Sequence, residues 1–513
     1  MGQADEVHSG LDSRELTVRV DANLRDAEHW QAAGDLDLAE VCLRRAFELT
    51  GHSAEISERL ASLLTQNNKL EDAREVLQAG LHQAVQSGDL DLIVQCYRRW
   101  QYYTTQSVGV EDYRFDFLAL AGMERAVADL KAQLTITSMA QQGEVNPLQP
   151  KVLYVGTNLA QVGSVLAKVL LSMIDAHDTS KFEFGLVFTD DEKKLYNTEE
   201  TAALIHLAEA KGWMLFLEPD LTVTGRVTKL ARRLHDWRPD LLVTNCALAS
   251  AEGLLLSASL PNILRCSLVV GPPPLFAAPN SDFVVASDER LLMECPVDGV
   301  VVPVETTLPD RDDVQPAYRS EIDIPATARI VVAAGRYTKF SAQYCDTLAK
   351  ILSGNERIFL LTLGIPKNEE ENFLARFPNQ VASRIRIVPW GRNYLGHLIL
   401  GDLLIDTFPS GGGITVQDAM ALEIPSICVG DDVRRPYKSD QWSVAYKFAL
   451  PELVVAPGKE EGIVSLALAY MSDTIDSASL KERCRSHVAA LRGDPVRMTK
   501  LHEEVYSMLL EQR

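Results

Sequence analysis

The chain has 513 residues and is 46% hydrophobic, which excludes a wholly disordered or fibrous protein and leaves room for about three domains. Fifty Lys and Arg residues against 71 Asp and Glu residues give a formal net charge of −21. A chain this negative repels polyphosphates and anionic lipids, so general nucleic-acid binding and binding to anionic membranes are not expected. A local basic pocket for one small phosphate ligand remains compatible with this charge.

The sequence shows no targeting or membrane-spanning pattern. Residues 1–12 are polar and acidic, without the apolar core of a secretory signal, and no run of about 18 apolar residues predicts a transmembrane segment. The eight cysteines are scattered, contain no Cys-x-x-Cys pair, and mostly lie in apolar segments. We therefore expect reduced, buried thiols that form neither disulfides nor zinc sites, in a cytoplasmic protein.

Helix-type sequence dominates the first part of the chain. Residues 15–137 contain no proline, almost no β-type alternation, and frequent Ala, Leu, Glu and Arg. Large and small residues recur at the 34-residue spacing of tetratricopeptide repeats, and Gly-Asp-Leu-Asp-Leu occurs at 34–38 and again at 88–92. This pattern predicts a tetratricopeptide-like helical domain over 13–138 with one continuous core; an irregular helical bundle is the alternative.

The hydrophobic period changes after a linker over 140–150. Short apolar runs alternate with helical segments in 151–303 and, beyond a loop rich in acids and prolines, in 326–480. Such alternation predicts parallel sheets that are covered by helices on both faces. We expect an α/β protein with two Rossmann-like lobes behind the helical domain, ligands at the carboxyl ends of the strands, and C-terminal helices over 481–513.

A glycine-rich turn in the segment 402–425 carries the sharpest chemical signal. An apolar strand runs into Pro-Ser-Gly-Gly-Gly, and a helix is expected to begin near Ile414 and Thr415. Close backbone approach and the free N–H groups of a helix N-terminus suit the turn to a diphosphate, whereas Asp418, expected in the first helical turn, would accept ribose hydroxyl protons. An ordinary strand-to-helix turn is the alternative. The expected ligand-binding residues are Pro409, Ser410, Gly411, Gly412, Gly413, Ile414, Thr415 and Asp418.

Three residues elsewhere complete the expected site. Lys339 follows the first strand of the second lobe, where its ammonium would neutralise charge on a departing diphosphate. Trp390 follows another strand of that lobe and is expected near a nucleobase, and Gly163 lies in the loop after the first strand of the first lobe. A solvated lysine and a surface tryptophan are the structural alternatives. His177 follows a helix and is expected to be solvated.

The two lobes and the segment 406–418 resemble the GT-B glycosyltransferases, most closely the O-linked N-acetylglucosamine transferases and related bacterial protein glucosyltransferases. That family also places tetratricopeptide-like helices ahead of a GT-B core, so the resemblance extends over about residues 13–480. The family pattern at this turn is Asp-Thr, several residues, then Gly-His-Thr-Thr and a downstream Asp. The matching residues here are Asp406, Thr407, Gly412, Thr415 and Asp418.

The match extends to the lysine, but three departures accompany it. Tyr337-Thr-Lys339 resembles the family's Leu-Tyr-Lys, whose lysine contacts the donor diphosphate, with one residue inserted. Gly413 and Ile414 replace a His and a Thr, and the loop 156–164 lacks the family's histidines. Retaining GT-B enzymes usually carry two glutamates across the turn; Ser410 and Asp418 stand there, which favours an inverting displacement.

The resemblance implies a metal-independent glycosyltransferase that moves a sugar, with N-acetylglucosamine or glucose favoured, from a UDP-sugar to a protein acceptor recruited by the helical domain. It would need no cofactor besides the donor substrate. Lys339 would be its catalytic residue, because it stabilises the leaving diphosphate, and the acceptor would enter near Gly163. Three alternatives stay open: a sugar-nucleotide epimerase, a glycosyltransferase acting on lipid or polysaccharide, and a non-catalytic helical-repeat adaptor with a decayed transferase lobe. Loss of the loop histidines supports the last of these.

Overall fold

The computed structural model contains a helical region, a first α/β lobe, a second α/β lobe and two C-terminal helices, in that chain order. The predicted linker up to residue 148 and the predicted acceptor-side residue Gly163 lie outside the described residues. The described residues are 13–67, 69–107, 149–156, 159, 165–190, 195–196, 199–220, 222–245, 251–260, 263–270, 281–293, 295, 297–391, 393–430, 444–472 and 477–512.

The N-terminal region is helical, as the composition predicts. Its helices are α1 (Ser13–Ala32), α2 (Leu36–Leu49), α3 (Ala54–Gln66), α4 (Leu70–Ser87) and α5 (Leu90–Ser107). Small residues such as Ala39 and Ala73 are fully buried where successive helices pack, which allows the close approach inferred from the spacing. The last part of the predicted helical domain, 108–138, lies outside the described residues.

The repeated Gly-Asp-Leu-Asp-Leu sequence forms the same local structure twice. Gly34 and Gly88 adopt positive φ angles of 79° and 73°, a conformation that glycine adopts without steric cost. The aspartate that follows each glycine then caps the next helix: Asp35 accepts the N–H of Leu38 at 3.0 Å, and Asp89 that of Leu92 at 3.2 Å. The repeat is therefore a helix-ending and helix-starting signal.

The first lobe contains seven strands. Its elements are β1 (Lys151–Gly156), α6 (Val165–Ala176), β2 (Glu183–Phe188), α7 (Glu199–Ala210), β3 (Met214–Phe216), α8 (Val223–Trp237), β4 (Leu241–Asn245), α9 (Ala251–Ser259), β5 (Leu264–Val269), β6 (Phe283–Ala286), α10 (Glu289–Met293) and β7 (Gly299–Val301). All pairings are parallel, in the order β3-β2-β1-β4-β5-β6-β7. The apolar runs predict β1 to β4; the sequence analysis did not identify β5 to β7 as strands.

The second lobe contains a six-stranded parallel sheet. Its elements are β8 (Arg329–Ala334), α11 (Ala342–Gly354), β9 (Ile358–Leu363), α12 (Glu370–Leu374), α13 (Asn379–Ala382), β10 (Ile385–Val388), α14 (Tyr394–Leu398), β11 (Leu403–Ile405), α15 (Gly413–Ala421), β12 (Ser426–Val429), β13 (Val454–Val455) and α16 (Glu461–Met471). The strand order is β10-β9-β8-β11-β12-β13. Residues 330–334 of β8 are at most 2% exposed, as expected for a strand covered on both faces.

The helical region and the first lobe share one hydrophobic core. Trp100 of α5 and Leu60 of α3 belong to the same buried cluster as Leu230 of α8 and Leu256 of α9. The link is also polar, because Asp91 of α5 accepts the first backbone N–H groups of α8, that of Val223 at 2.5 Å. The helices are thus built into the first lobe.

Replacement of Asp91 by alanine is expected to lower the free energy of unfolding by about 1 kcal/mol, because α8 loses the carboxylate at its N-terminus. Urea denaturation measures the change. Asp37 is the matched control: it occupies the same position in the first copy of the repeat, its side chain is 88% exposed, and it makes only a 3.7 Å ion pair with Lys69. Equal losses in Asp91→Ala and Asp37→Ala would contradict the proposed role of Asp91.

The C-terminal helices α17 (Ser477–Arg492) and α18 (Pro495–Glu511) return to the first lobe. Asp494 caps α18 at the N–H of Arg497, as its position before Pro495 predicts. The expectation that His177 is solvated is wrong. Its side chain is buried beneath α18, where it meets Glu503 at 3.0 Å and the hydroxyl of Tyr154 at 2.7 Å.

Candidate donor-binding site

The candidate site lies where two central strands of the second lobe end. Strands β8 and β11 pair side by side, Val331 with Leu403, although the chain runs through β9 and β10 between them. The chain leaves β8 towards β9 on one side and leaves β11 towards β12 on the other. In open parallel sheets, ligands bind at the carboxyl ends of the strands at such a switch point. The loop carrying Lys339 and the glycine-rich turn follow these two strands.

The glycine-rich turn leads directly into α15. This helix begins at Gly413, one residue before the predicted start, and its N-cap, Gly412, has no side chain to satisfy the exposed N–H groups. The amide of Gly412 donates to Oδ1 of Asp406 at 2.9 Å, which fixes the turn. The first N–H groups of a helix have no partner within it, so α15 presents an uncapped, positively polarised end. Ile414 and Thr415, the next two residues, are half-buried.

The residues before the glycines form a compact bend. Pro409, which follows a cis peptide bond, is exposed, whereas Ser410 is half-buried. The hydroxyl of Thr407 donates to the carbonyl of Ser410 at 2.7 Å. Gly411 is buried, and its carbonyl oxygen faces the loop after β8.

Lys339 reaches the glycine-rich turn. It ends a short 3₁₀ turn (Tyr337–Lys339) after β8, and its Nζ donates to the carbonyl oxygen of Gly411 at 2.6 Å. The ammonium group and the uncapped end of α15 are therefore brought together, although more than 70 residues separate them in sequence. Two sources of positive potential beside one turn form an arrangement suited to an anion.

Asp406 is the buried counter-charge of Lys339. The carboxylate is 3% exposed, and burial raises its pKa, while Lys339 and the N–H groups of Gly412 and Thr407 oppose that rise. Burial lowers the pKa of Lys339 to about 8, against the opposing attraction of Asp406. The two groups thus support each other's charged forms, and with a pKa of about 8 the Lys339 ammonium is present at neutral pH and is lost as the pH rises through 8.

Asp406→Asn is expected to shift the alkaline limit of anion binding at this site to lower pH. The amide oxygen can still accept the Gly412 N–H, but the negative charge that supports the Lys339 ammonium is gone, so the pKa of Lys339 falls below about 8. Titration of the protein with UDP between pH 6 and 9 measures this limit. An unchanged alkaline limit would show that Asp406 does not control the charge of Lys339.

Three side chains outside the predicted site residues fix the Lys339 loop. The hydroxyl of Ser341 donates to the carbonyl of Phe408 at 3.0 Å, and that of Tyr344 donates to the carbonyl of Ile405 at 2.7 Å. Arg376 donates to the carbonyl of Phe340 at 2.7 Å on the opposite side. Sequence spacing does not predict these three contacts, because the partners are backbone carbonyls of distant segments.

Asp418 does not lie in the first turn of its helix, contrary to expectation. Because α15 begins at Gly413, Asp418 is in the second turn. Its carboxylate is only 3% exposed and forms an ion pair with Lys168 of α6, at 2.5 Å between Nζ and Oδ1. Sequence reasoning missed Lys168, since nothing in the pattern of α6 distinguishes it from a surface lysine.

Trp390 lies at the same edge of the sheet. Its indole lies over Gly364, the residue after β9, on the side where any other residue would carry a Cβ atom. Its ring centroid is 5.0 Å from that of Tyr394, and burial together with the nearby Asp418 raises the pKa of Tyr394 well above its usual value. The aromatic pair thus connects Trp390 with the neighbourhood of α15.

Two helix-flanked parallel sheets, with this site at the switch point of the second, define the GT-B fold class, here preceded by a helical region. Among solved structures, a lysine-to-methionine mutant of the Thermobaculum terrenum O-GlcNAc transferase aligns over 98% of this chain and 99% of its own, with a TM-score of 0.56 and 16% identity. HepE from Anabaena, in complex with UDP and glucose, aligns over 70% of this chain and 100% of its own, with a TM-score of 0.51 and 13% identity. The predicted fold class and the resemblance are confirmed.

Sequence-level comparisons are negative: no protein-family profile and no curated protein matches the chain. Within the described ranges, none of the helices combines the length and apolar character needed to cross a membrane. In the same ranges, no three His, Cys, Asp or Glu side chains come together as a group that could hold a metal ion. Most of the described cysteines are buried, and all seven are free thiols.

Proposed function

We propose that this protein is a glycosyltransferase that uses a UDP-sugar as donor. The observation that carries the proposal is the meeting of Lys339 with the uncapped N-terminus of α15 at the switch point between β8 and β11. Ammonium and helix end together provide a fixed positive environment for a diphosphate. The GT-B fold shared with an O-GlcNAc transferase and with a UDP-bound enzyme supports this assignment of the anion.

The proposed chemistry is displacement at the anomeric carbon of the donor. A bond forms between an acceptor hydroxyl oxygen and this carbon while the bond from the carbon to the β-phosphate oxygen breaks, and the hydroxyl proton is released to water. Negative charge then develops on the departing UDP, and Lys339 and the N–H groups of Gly413, Ile414 and Thr415 lie where they would stabilise it. Ser410 and Asp418 stand where retaining enzymes carry glutamates, which supports inversion. No metal takes part in the proposed reaction.

The remaining parts of the proposal concern the rest of the substrates. Asp418 is proposed to accept ribose hydroxyls and Trp390 to lie beside the nucleobase. N-acetylglucosamine or glucose is the favoured sugar. We assign a protein acceptor, because the helical region is built into the first lobe and helical-repeat surfaces commonly bind peptides. The buried free thiols fit a reducing, cytoplasmic setting.

A panel of UDP- and GDP-sugars tests this proposal by titration calorimetry on the full chain, followed by mass spectrometry of co-expressed candidate acceptors. Binding of UDP-sugars together with a hexose or N-acetylhexosamine mass increase on a protein would support it. Release of an epimerised sugar nucleotide without acceptor would select an epimerase, and sugar on lipid or polysaccharide would select that class of transferase. A chain that binds no nucleotide would be a non-catalytic adaptor.

A further inference from the structure

Lys168 belongs to the first lobe but contacts the donor site of the second. It lies in the first turn of α6, the helix that follows β1, and its Nζ meets Oδ1 of Asp418 in α15 at 2.5 Å. The lysine side chain retains 27% of its exposure, whereas that of the aspartate retains 4%. The contact is therefore an ion pair between lobes whose acidic partner is buried.

A buried carboxylate requires a compensating partner. Removing a carboxylate from water costs several kcal/mol unless a charge or hydrogen bonds replace the lost hydration. Among the described residues, Lys168 is the hydrogen-bond partner of the Asp418 carboxylate, and it occupies Oδ1.

We propose that Lys168 is a positioning residue of the donor site, supplied by the opposite lobe: it holds the Asp418 carboxylate in place and in its anionic form, so that Oδ2 can accept a ribose hydroxyl. The inference rests on the proposed function, because it takes a nucleoside diphosphate as the ligand. It assigns a role in donor binding to a first-lobe residue on the helix after β1. Donor affinity then depends on contact between the two lobes.

The pH dependence of binding separates this role from a purely structural one. Burial raises the pKa of Asp418, and Lys168 opposes that rise. The groups that face this carboxylate from neighbouring elements are Lys168 of α6 and the hydroxyl of Tyr394 of α14. Without Lys168 the pKa of Asp418 rises further, so the carboxylate becomes neutral, and donor binding weakens, at a higher pH than in the wild type.

The experiment is calorimetric titration of the full chain with UDP between pH 5 and 8, for Lys168→Met, Lys168→Arg and Lys350→Met. We expect Lys168→Met to bind UDP about ten-fold more weakly at pH 7.5 and its acid limit of binding to move to higher pH. Lys168→Arg keeps the positive charge and should recover most of the affinity. Lys350 is the matched control, because it is 62% exposed and pairs only with Asp346 on its own helix.

Unchanged UDP binding by Lys168→Met would overturn the inference. Tighter binding would also overturn it, because it would show that Lys168 competes with the nucleotide. Thermal unfolding of each variant reports on folding. If Lys168→Met does not fold, Lys168→Arg decides: affinity and an acid limit close to those of the wild type would support the inference. A folded Lys168→Arg variant that has lost most of the UDP affinity would count against it. A wild-type chain that binds no UDP would end the proposed function itself. Wild-type binding with an unaffected Lys168→Met would leave that function standing and remove only the inference.

Discussion

Lys339→Ala is expected to reduce sugar transfer by about 100-fold or more while the protein stays folded. The ammonium group reaches the glycine-rich turn, where it donates to the Gly411 carbonyl at 2.6 Å. Its loss removes the charge that would stabilise the departing diphosphate, whereas the 3₁₀ turn remains fixed by Ser341 and Tyr344. Initial rates with a saturating UDP-sugar, together with UDP titration, measure the effect.

Lys367→Ala provides the matched control for this experiment. Lys367 also lies in a three-residue 3₁₀ turn after a strand of the second lobe, here β9, but its side chain is exposed. Full activity is expected in this variant. Full activity in Lys339→Ala would remove the assignment of Lys339 as the stabiliser of the leaving group, whatever the state of the control.

Gly364→Ala is expected to lower the free energy of unfolding by about 3 kcal/mol and to weaken UDP binding. Gly364 has a φ of 109°, and a Cβ there would overlap the Gly335 carbonyl oxygen and lie 2.6 Å from Nε1 of Trp390. Neither can move without disturbing the site, because Gly335 begins the loop to Lys339 and Trp390 packs on Tyr394. Urea denaturation and UDP titration measure the two effects.

Gly458→Ala separates backbone strain from overlap. Gly458 also has a positive φ, 78°, but a Cβ there would meet nothing within 4 Å. Its replacement should cost about 1 kcal/mol through strain alone and leave UDP binding unchanged. If Gly364→Ala and Gly458→Ala lowered the free energy of unfolding equally, the overlap with Trp390 at Gly364 would not contribute to the loss of stability.

Local sequence signals predict much of this fold because they act over a few residues. Most of the runs that became β1 to β4 and β8 to β12 are apolar, as in β1 and β8, and such runs are typical of buried parallel strands. Caps are equally local: a serine ahead of a helical run and an Asp-Pro pair both predict helix starts, and Ser341 and Asp494 cap α11 and α18. The glycine-rich turn was predictable because its glycines and the start of the following helix are contiguous in sequence.

Features that depend on distant partners were not predictable in this way. Asp418 looked like a first-turn residue because the pattern placed the helix start late, and its ion pair with Lys168 joins residues 250 apart in the sequence. His177 looked like a solvated residue after a helix, yet α18, more than 300 residues later, covers it. Neither contact produces a periodic pattern in the sequence from which it could be predicted.

The common core of the helical region and the first lobe has a geometric consequence for substrate delivery. Because Trp100 and Leu60 share a buried cluster with Leu230 and Leu256, the helices cannot swivel independently of the lobe. An acceptor bound along those helices would meet the sugar at a set distance and angle. The fixed arrangement of helices and lobe would then set the number of residues between the docking segment of an acceptor and its modified residue.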